Sequence, residues 1–82
     1  MIEFNSKVVG KTINRLRTEQ GLSQEVLSGL AGIARTHLSM IETGSKQANF
    51  ETIWKIANAL GVKPSDLVRQ IEMNEAIDFP TQ

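Results

Sequence analysis

Four glycines, Gly21, Gly32, Gly44 and Gly61, cut the chain into short segments whose apolar residues recur at spacings of three and four. A 3.6-residue apolar period closed at regular intervals by glycine is the pattern of consecutive short helices. Asn5 or Ser6 caps a first helix carrying Val9, Ile13 and Leu16 on one face and ending before Gly21. Ser23 caps a second, with Leu27, Leu30 and Ala31 available for burial, and a third runs from about Arg35 to Thr43 with Leu38 and Ile41 inward. Beyond the polar loop Ser45-Lys46-Gln47-Ala48, Asn49 caps a fourth helix holding Ile53, Ile56, Ala57 and Leu60. Pro64 suits the first position of a fifth, through Leu67, Val68 and Ile71. No segment sustains period-two alternation, so the expected fold class is all-α.

Two positions work against this pattern. Gly29, inside the second helix, costs ~1 kcal/mol relative to alanine. Ala34 stands at the cap of the third, where serine would contribute ~1 kcal/mol, and the weak cap leaves the first amides of that helix free.

Eighty-two residues with 40% hydrophobic content close one core but not two, and a chain this short gains from covering apolar surface with a second copy of itself. Residues 1–72 are expected to form the helical domain, with a dimerising fifth helix, and residues 73–82 an acidic, flexible tail. The absence of cysteine removes disulfides and thiolate chemistry, and fits a reducing cytoplasm. Met1-Ile2-Glu3-Phe4 has neither a basic nor an apolar leader region, and no apolar run approaches a membrane span.

Nine basic residues balance nine acidic ones, so net charge makes no case for a polyanionic partner. The distribution does. Through Pro64, Lys7, Lys11, Arg15, Arg17, Arg35, Lys46, Lys55 and Lys63 stand against Glu3, Glu19, Glu25, Glu42 and Glu51, whereas from Ser65 onward Arg69 stands against Asp66, Glu72, Glu75 and Asp78. A basic body and an acidic tail would aim the body at phosphate. One histidine, no cysteine, no Gly-rich phosphate loop and no metal-ligand spacing leave nothing to assemble a catalytic set, so neither an enzyme nor a bound cofactor or metal is expected.

The run Leu22-Ser23-Gln24-Glu25-Val26-Leu27, with Gly32-Ile33-Ala34-Arg35-Thr36-His37-Leu38-Ser39-Met40-Ile41-Glu42-Thr43-Gly44, resembles the Cro/phage-repressor (XRE) helix-turn-helix family. Asn49 to Leu67 is similar to that family's fourth and fifth helices, and the likeness extends over about residues 9–68. Chain size and the run Arg35-Thr36-His37-Leu38-Ser39 also resemble the restriction-modification controller subgroup, which are stand-alone dimers. The departures are Ser28 in place of the usual alanine, Val26 and Leu30 where charge is frequent, and Ala34 at the cap.

The resemblance implies a five-helix, lambda-repressor-like DNA-binding domain with its helix-turn-helix at helices 2 and 3. It implies a transcriptional regulator binding double-stranded DNA as a homodimer on a pseudo-palindromic operator, with RNA polymerase within reach as a further partner. On that reading Arg35, Thr36, Ser39 and Met40 meet base edges, Arg35 being able to grip guanine with two hydrogen bonds. Gln24, His37, Ser45, Lys46 and Asn49 meet the phosphate backbone. Arg17 and Glu42 resemble the family's internal ion pair between the first and third helices, and Trp54 stands at a large apolar position expected in the core. The dimer contact is expected on the fifth helix, through Leu67, Val68 and Ile71 with Met73 or Ile77 beside them. Neutral net charge and the apolar Val26/Leu30 pair also fit a protein-interaction module on the same fold, such as an antitoxin or adaptor.

Overall fold

A computed structural model of the chain describes the backbone of residues 4–78 and the side chains of residues 4–74. Helices α1 (Ser6–Glu19), α2 (Gln24–Ala31), α3 (Arg35–Thr43), α4 (Phe50–Leu60) and α5 (Pro64–Asp78) follow in order, with no strand among the described residues.

Local chemistry accounts for the helix starts. The Asn5 Oδ1 accepts from the Lys7 amide at 2.9 Å, the Ser23 Oγ from the Val26 amide at 3.1 Å and the Asn49 Oδ1 from the Thr52 amide at 2.8 Å. Helix α3, which begins after Ala34, has no side-chain cap. Helices α2, α3 and α4 each end on a glycine in the left-handed conformation, whose amide returns to the last carbonyls of the helix.

Helix α1 packs against α3 and α5, α2 packs on α3 and α4, and α4 also meets α5. The core gathers Val9, Ile13 and Leu16 from α1, Leu27 and Ala31 from α2, Leu38 and Ile41 from α3, four residues from α4 and Leu67 from α5. Polar clasps bind α5 to α1. Buried Thr12 accepts from the Asn74 Nδ2 at 2.7 Å, and the Arg15 Nη2 donates to the Gln70 Oε1 at 2.7 Å.

Several sequence expectations need correction. Leu67 is 0% exposed, so it is a core residue of its own protomer and offers no surface to a second chain. One position further round the helix, Val68 is 43% exposed, and Ile71 is packed partly against the core. Trp54 is not core but 50% exposed, and Leu30 is 64% exposed. Helix α5 continues to Asp78, so the helix does not stop where the acidic tail was expected to begin. The side chain of Ile77 and residues 79–82 lie outside the described part of the chain.

Candidate nucleic-acid interface

Helices α2 and α3 are joined by a tight turn at Gly32, whose φ of 72° belongs to glycine. The turn is closed by the Ile33 amide donating to the Ser28 carbonyl at 3.0 Å. Ser28 itself is buried, and its hydroxyl donates to the Glu25 carbonyl at 3.0 Å, so a serine in place of alanine leaves no unpaired donor in the core.

Helix α3 has two distinct faces. Leu38, Ile41 and Glu42 are buried, whereas Arg35, Thr36 and Met40 are exposed and His37 and Ser39 half-buried. Among the described residues neither Arg35 nor Lys46 has an ion-pair partner. A forked guanidinium and a short hydroxyl therefore stand at the uncapped end of an anchored helix, with a thioether a turn further along, a set of side chains whose chemistry suits a major groove.

The anchor is polar as well as apolar. Glu42 receives the Arg17 Nε at 2.7 Å on Oε2 and, on Oε1, the Arg17 Nη2 at 3.0 Å, the Asn14 Nδ2 at 2.9 Å and the Gln24 Nε2 at 3.0 Å. The remaining Arg17 nitrogen, Nη1, donates to the Leu22 carbonyl at 2.8 Å. One carboxylate thus ties α1, the start of α2 and the end of α3 to one another. Burial acts to raise the Glu42 carboxyl, but the donors from Arg17, Asn14 and Gln24 outweigh it and hold the group below the ordinary carboxylate range. The hydrogen bond to Glu42 likewise raises Arg17 against the opposing effect of burial.

This geometry changes the standing of some backbone-contact candidates. The Gln24 amide nitrogen is turned inward onto Glu42, so what Gln24 keeps for solvent is its carbonyl end and its main chain at the start of α2. The Ser45 hydroxyl donates to the Met40 carbonyl at 3.2 Å and lies 3.1 Å from the Thr43 hydroxyl, which uses it to shape the turn after α3. Asn49 spends its side-chain oxygen on capping α4 and retains its amide nitrogen as a donor. Lys46 is exposed on the same loop. Asn14 escaped the sequence reading, although it lies three residues before Arg17 on the same face of α1; Gln24 was read for its outward possibilities only.

A helix-turn-helix family model, HTH_3, matches residues 13–67, most of the chain and all of the α2–α3 unit. The chain belongs to this helix-turn-helix family. It is 39% identical over 62 residues to the uncharacterized HTH-type transcriptional regulator y4dJ of Sinorhizobium fredii, covering 76% of this chain and 80% of that one. It is 37% identical over 60 residues to the control protein C.BamHI of Bacillus amyloliquefaciens, covering 72% and 74%. The crystal structure of the restriction-modification controller protein C.AhdI from Aeromonas hydrophila superposes with a TM-score of 0.73 at 35% identity, covering 76% of this chain and 94% of that one. As a member of this family the protein is a DNA-binding transcription regulator of XRE type, close to the controller proteins, and not an enzyme. No described helix is long and apolar enough to cross a membrane.

Proposed function

We propose that this helix-turn-helix protein is a sequence-specific regulator of the restriction-modification controller type, reading a pseudo-palindromic operator as a homodimer. The observation that carries the reading is the outer face of α3, where Arg35, Thr36 and Met40 stand exposed on a helix whose opposite face is held by Leu38, Ile41 and the Glu42 network. Arg35 is the base reader, set to bond guanine O6 and N7, with Thr36, Ser39 and Met40 meeting neighbouring base edges. Lys46, Asn49, His37 and the backbone at Gln24 hold phosphates and set the register of the helix. The uncapped amides after Ala34 add donors at the same end.

Dimerisation is supported by an apolar face on the far side of α4 and α5. Phe50, Trp54, Pro64 and Val68 line an open groove of about 590 Å³, together with Lys63, Arg69 and Glu72. Phe50 is 69% exposed, and its ring meets Trp54 edge-on with centroids 5.8 Å apart. A second copy related by a two-fold axis would cover this face and Met73, which is 57% exposed. Reading two half-sites on one face of the duplex requires the two recognition helices to lie about one helical turn of DNA apart, ~34 Å.

The test is selection from a randomised duplex pool at two salt concentrations with the wild type and Arg35→Ala. The expected result is a pseudo-palindrome whose guanine preference disappears in the variant, with affinity falling as salt rises. The exposed Val26 and Leu30 on α2 favour the second reading, a protein-interaction module on this fold. Absence of duplex enrichment at both salts would select it.

A further inference from the structure

Gly10 lies in the interior of α1, where glycine is unfavourable relative to alanine, and it is buried. A β-carbon there would meet the Ile41 carbonyl oxygen and stand 2.5 Å from the Glu42 carbonyl oxygen and 2.7 Å from the Glu42 carbonyl carbon. All three are backbone atoms of the last turn of α3, and none can swing aside as a side chain would. The approach is reciprocated, because a β-carbon at Gly44, just past the end of α3, would lie 2.7 Å from the Lys7 Cγ and 2.9 Å from the Lys7 Cα. At the Gly44 end of the seam the Ser6 hydroxyl donates to the Gly44 carbonyl at 3.0 Å. Gly29 supplies the contrast: it too sits inside a helix, yet a β-carbon there would meet nothing within 4 Å. Close backbone contact is a property of the α1–α3 seam, not of helical glycines in this chain.

We propose that Gly10 is a specificity-determining position, because the backbone contact it permits sets the depth and tilt at which α3 presents Arg35, Thr36 and Ser39 to DNA. The inference rests on the DNA-reading role proposed for α3. A methyl group at Gly10 requires α3 to withdraw by roughly 1 Å, the gap between 2.5 Å and ordinary contact near 3.4 Å. The displaced carbonyls adjoin Glu42, so the withdrawal also loads the network that orients the helix. A bidentate hydrogen bond to a base edge tolerates only a fraction of that displacement, whereas a long lysine on a phosphate follows it. Loss of the seam therefore erodes base discrimination more than it erodes sequence-independent affinity.

The experiment compares Kd for three duplexes: the selected operator, the same operator with its half-site guanines replaced, and an unrelated sequence. Wild type, Gly10→Ala and Ile56→Val are measured at a temperature where circular dichroism shows each folded. Ile56→Val is the control, a destabilising change in the core of α4, away from the seam. The expected result for Gly10→Ala is a fall of about tenfold in the ratio of operator to guanine-replaced affinity, with unrelated-duplex affinity kept within about threefold. Ile56→Val should keep the wild-type ratio. A folded Gly10→Ala protein with the wild-type ratio overturns the proposal, as does an equal loss in Ile56→Val. If Gly10→Ala does not fold, Ser6→Ala decides: loss of its bond to Gly44 should lower the ratio by roughly two- to threefold, and an unchanged ratio overturns the proposal. Should the wild type itself show no base preference, the DNA-reading role fails and takes this inference with it, an outcome distinct from the others.

Discussion

The two long seams of this domain are built in opposite ways. Between α1 and α3 the backbones touch at Gly10 and Gly44, and a buried carboxylate has each of its oxygens occupied by donors from the same chain. Along α4 and α5, Phe50, Trp54 and Val68 line a groove that no described residue fills. A seam closed by its own protomer fixes a geometry, which a reading helix needs. An apolar seam left open gains stability only from a further surface, which a second copy can supply.

The largest effect is expected from breaking the closed seam. Glu42→Ala leaves the Arg17 guanidinium, whose side chain is only 11% exposed, without its partner, and should cost about 3 kcal/mol or more of stability in urea denaturation. A loss near that of a surface ion pair, below about 1 kcal/mol, would show that the network contributes little. The same seam predicts a pH dependence. The folded Glu42 carboxyl titrates below its unfolded range near ~4.3, so its contribution is present above that range and lost as pH falls through the folded value. The stability gap between wild type and Glu42→Gln should accordingly narrow on acidification from neutral pH, and a gap that widens would contradict the assignment.

The open seam should answer to a different measurement. Trp54→Ala is expected to leave helicity and thermal unfolding of the monomer nearly unchanged, because the side chain is half exposed. It should weaken self-association by about 2 kcal/mol, roughly 30-fold in Kd by sedimentation. If the variant unfolds easily yet dimerises normally, the groove is core and not interface. The smallest change sharpens the account of α3. Ala34→Ser should add about 1 kcal/mol by capping the helix, and should weaken duplex binding if the free amides serve phosphate. Stabilisation with unchanged affinity would leave those amides no part in binding.

Much of this was legible in order of residues alone. Asn5, Ser23 and Asn49 cap α1, α2 and α4 through contacts no more than three residues away, and Gly32, Gly44 and Gly61 end α2, α3 and α4 locally, so spacing and residue type suffice. Local rules failed where a helix has more than one neighbour. Leu67 and Val68 are adjacent in sequence and equally apolar, yet one is wholly enclosed and the other faces outward, because α5 lies on α1 and α4 along a single stripe. Trp54 was assigned to the core for its size, but Ile53, Ile56, Ala57 and Leu60 already fill the inner face of α4, and Trp54 falls a third of a turn away beside Phe50.

By itself the sequence determined the number of helices, their limits to within a residue or two as far as α4, the turn that joins α2 to α3, and the residue types on the outer face of α3. Each of these depends on groups close together along the chain. Only the tertiary structure decided that Gln24 turns inward, that Asn14 joins Arg17 on Glu42, that Gly10 is a contact and Gly29 is not, and that α5 continues beyond residue 73 with Asn74 clasped to Thr12. Those outcomes depend on which surfaces meet across tens of residues, and a helical period names the face of a residue without naming what lies opposite.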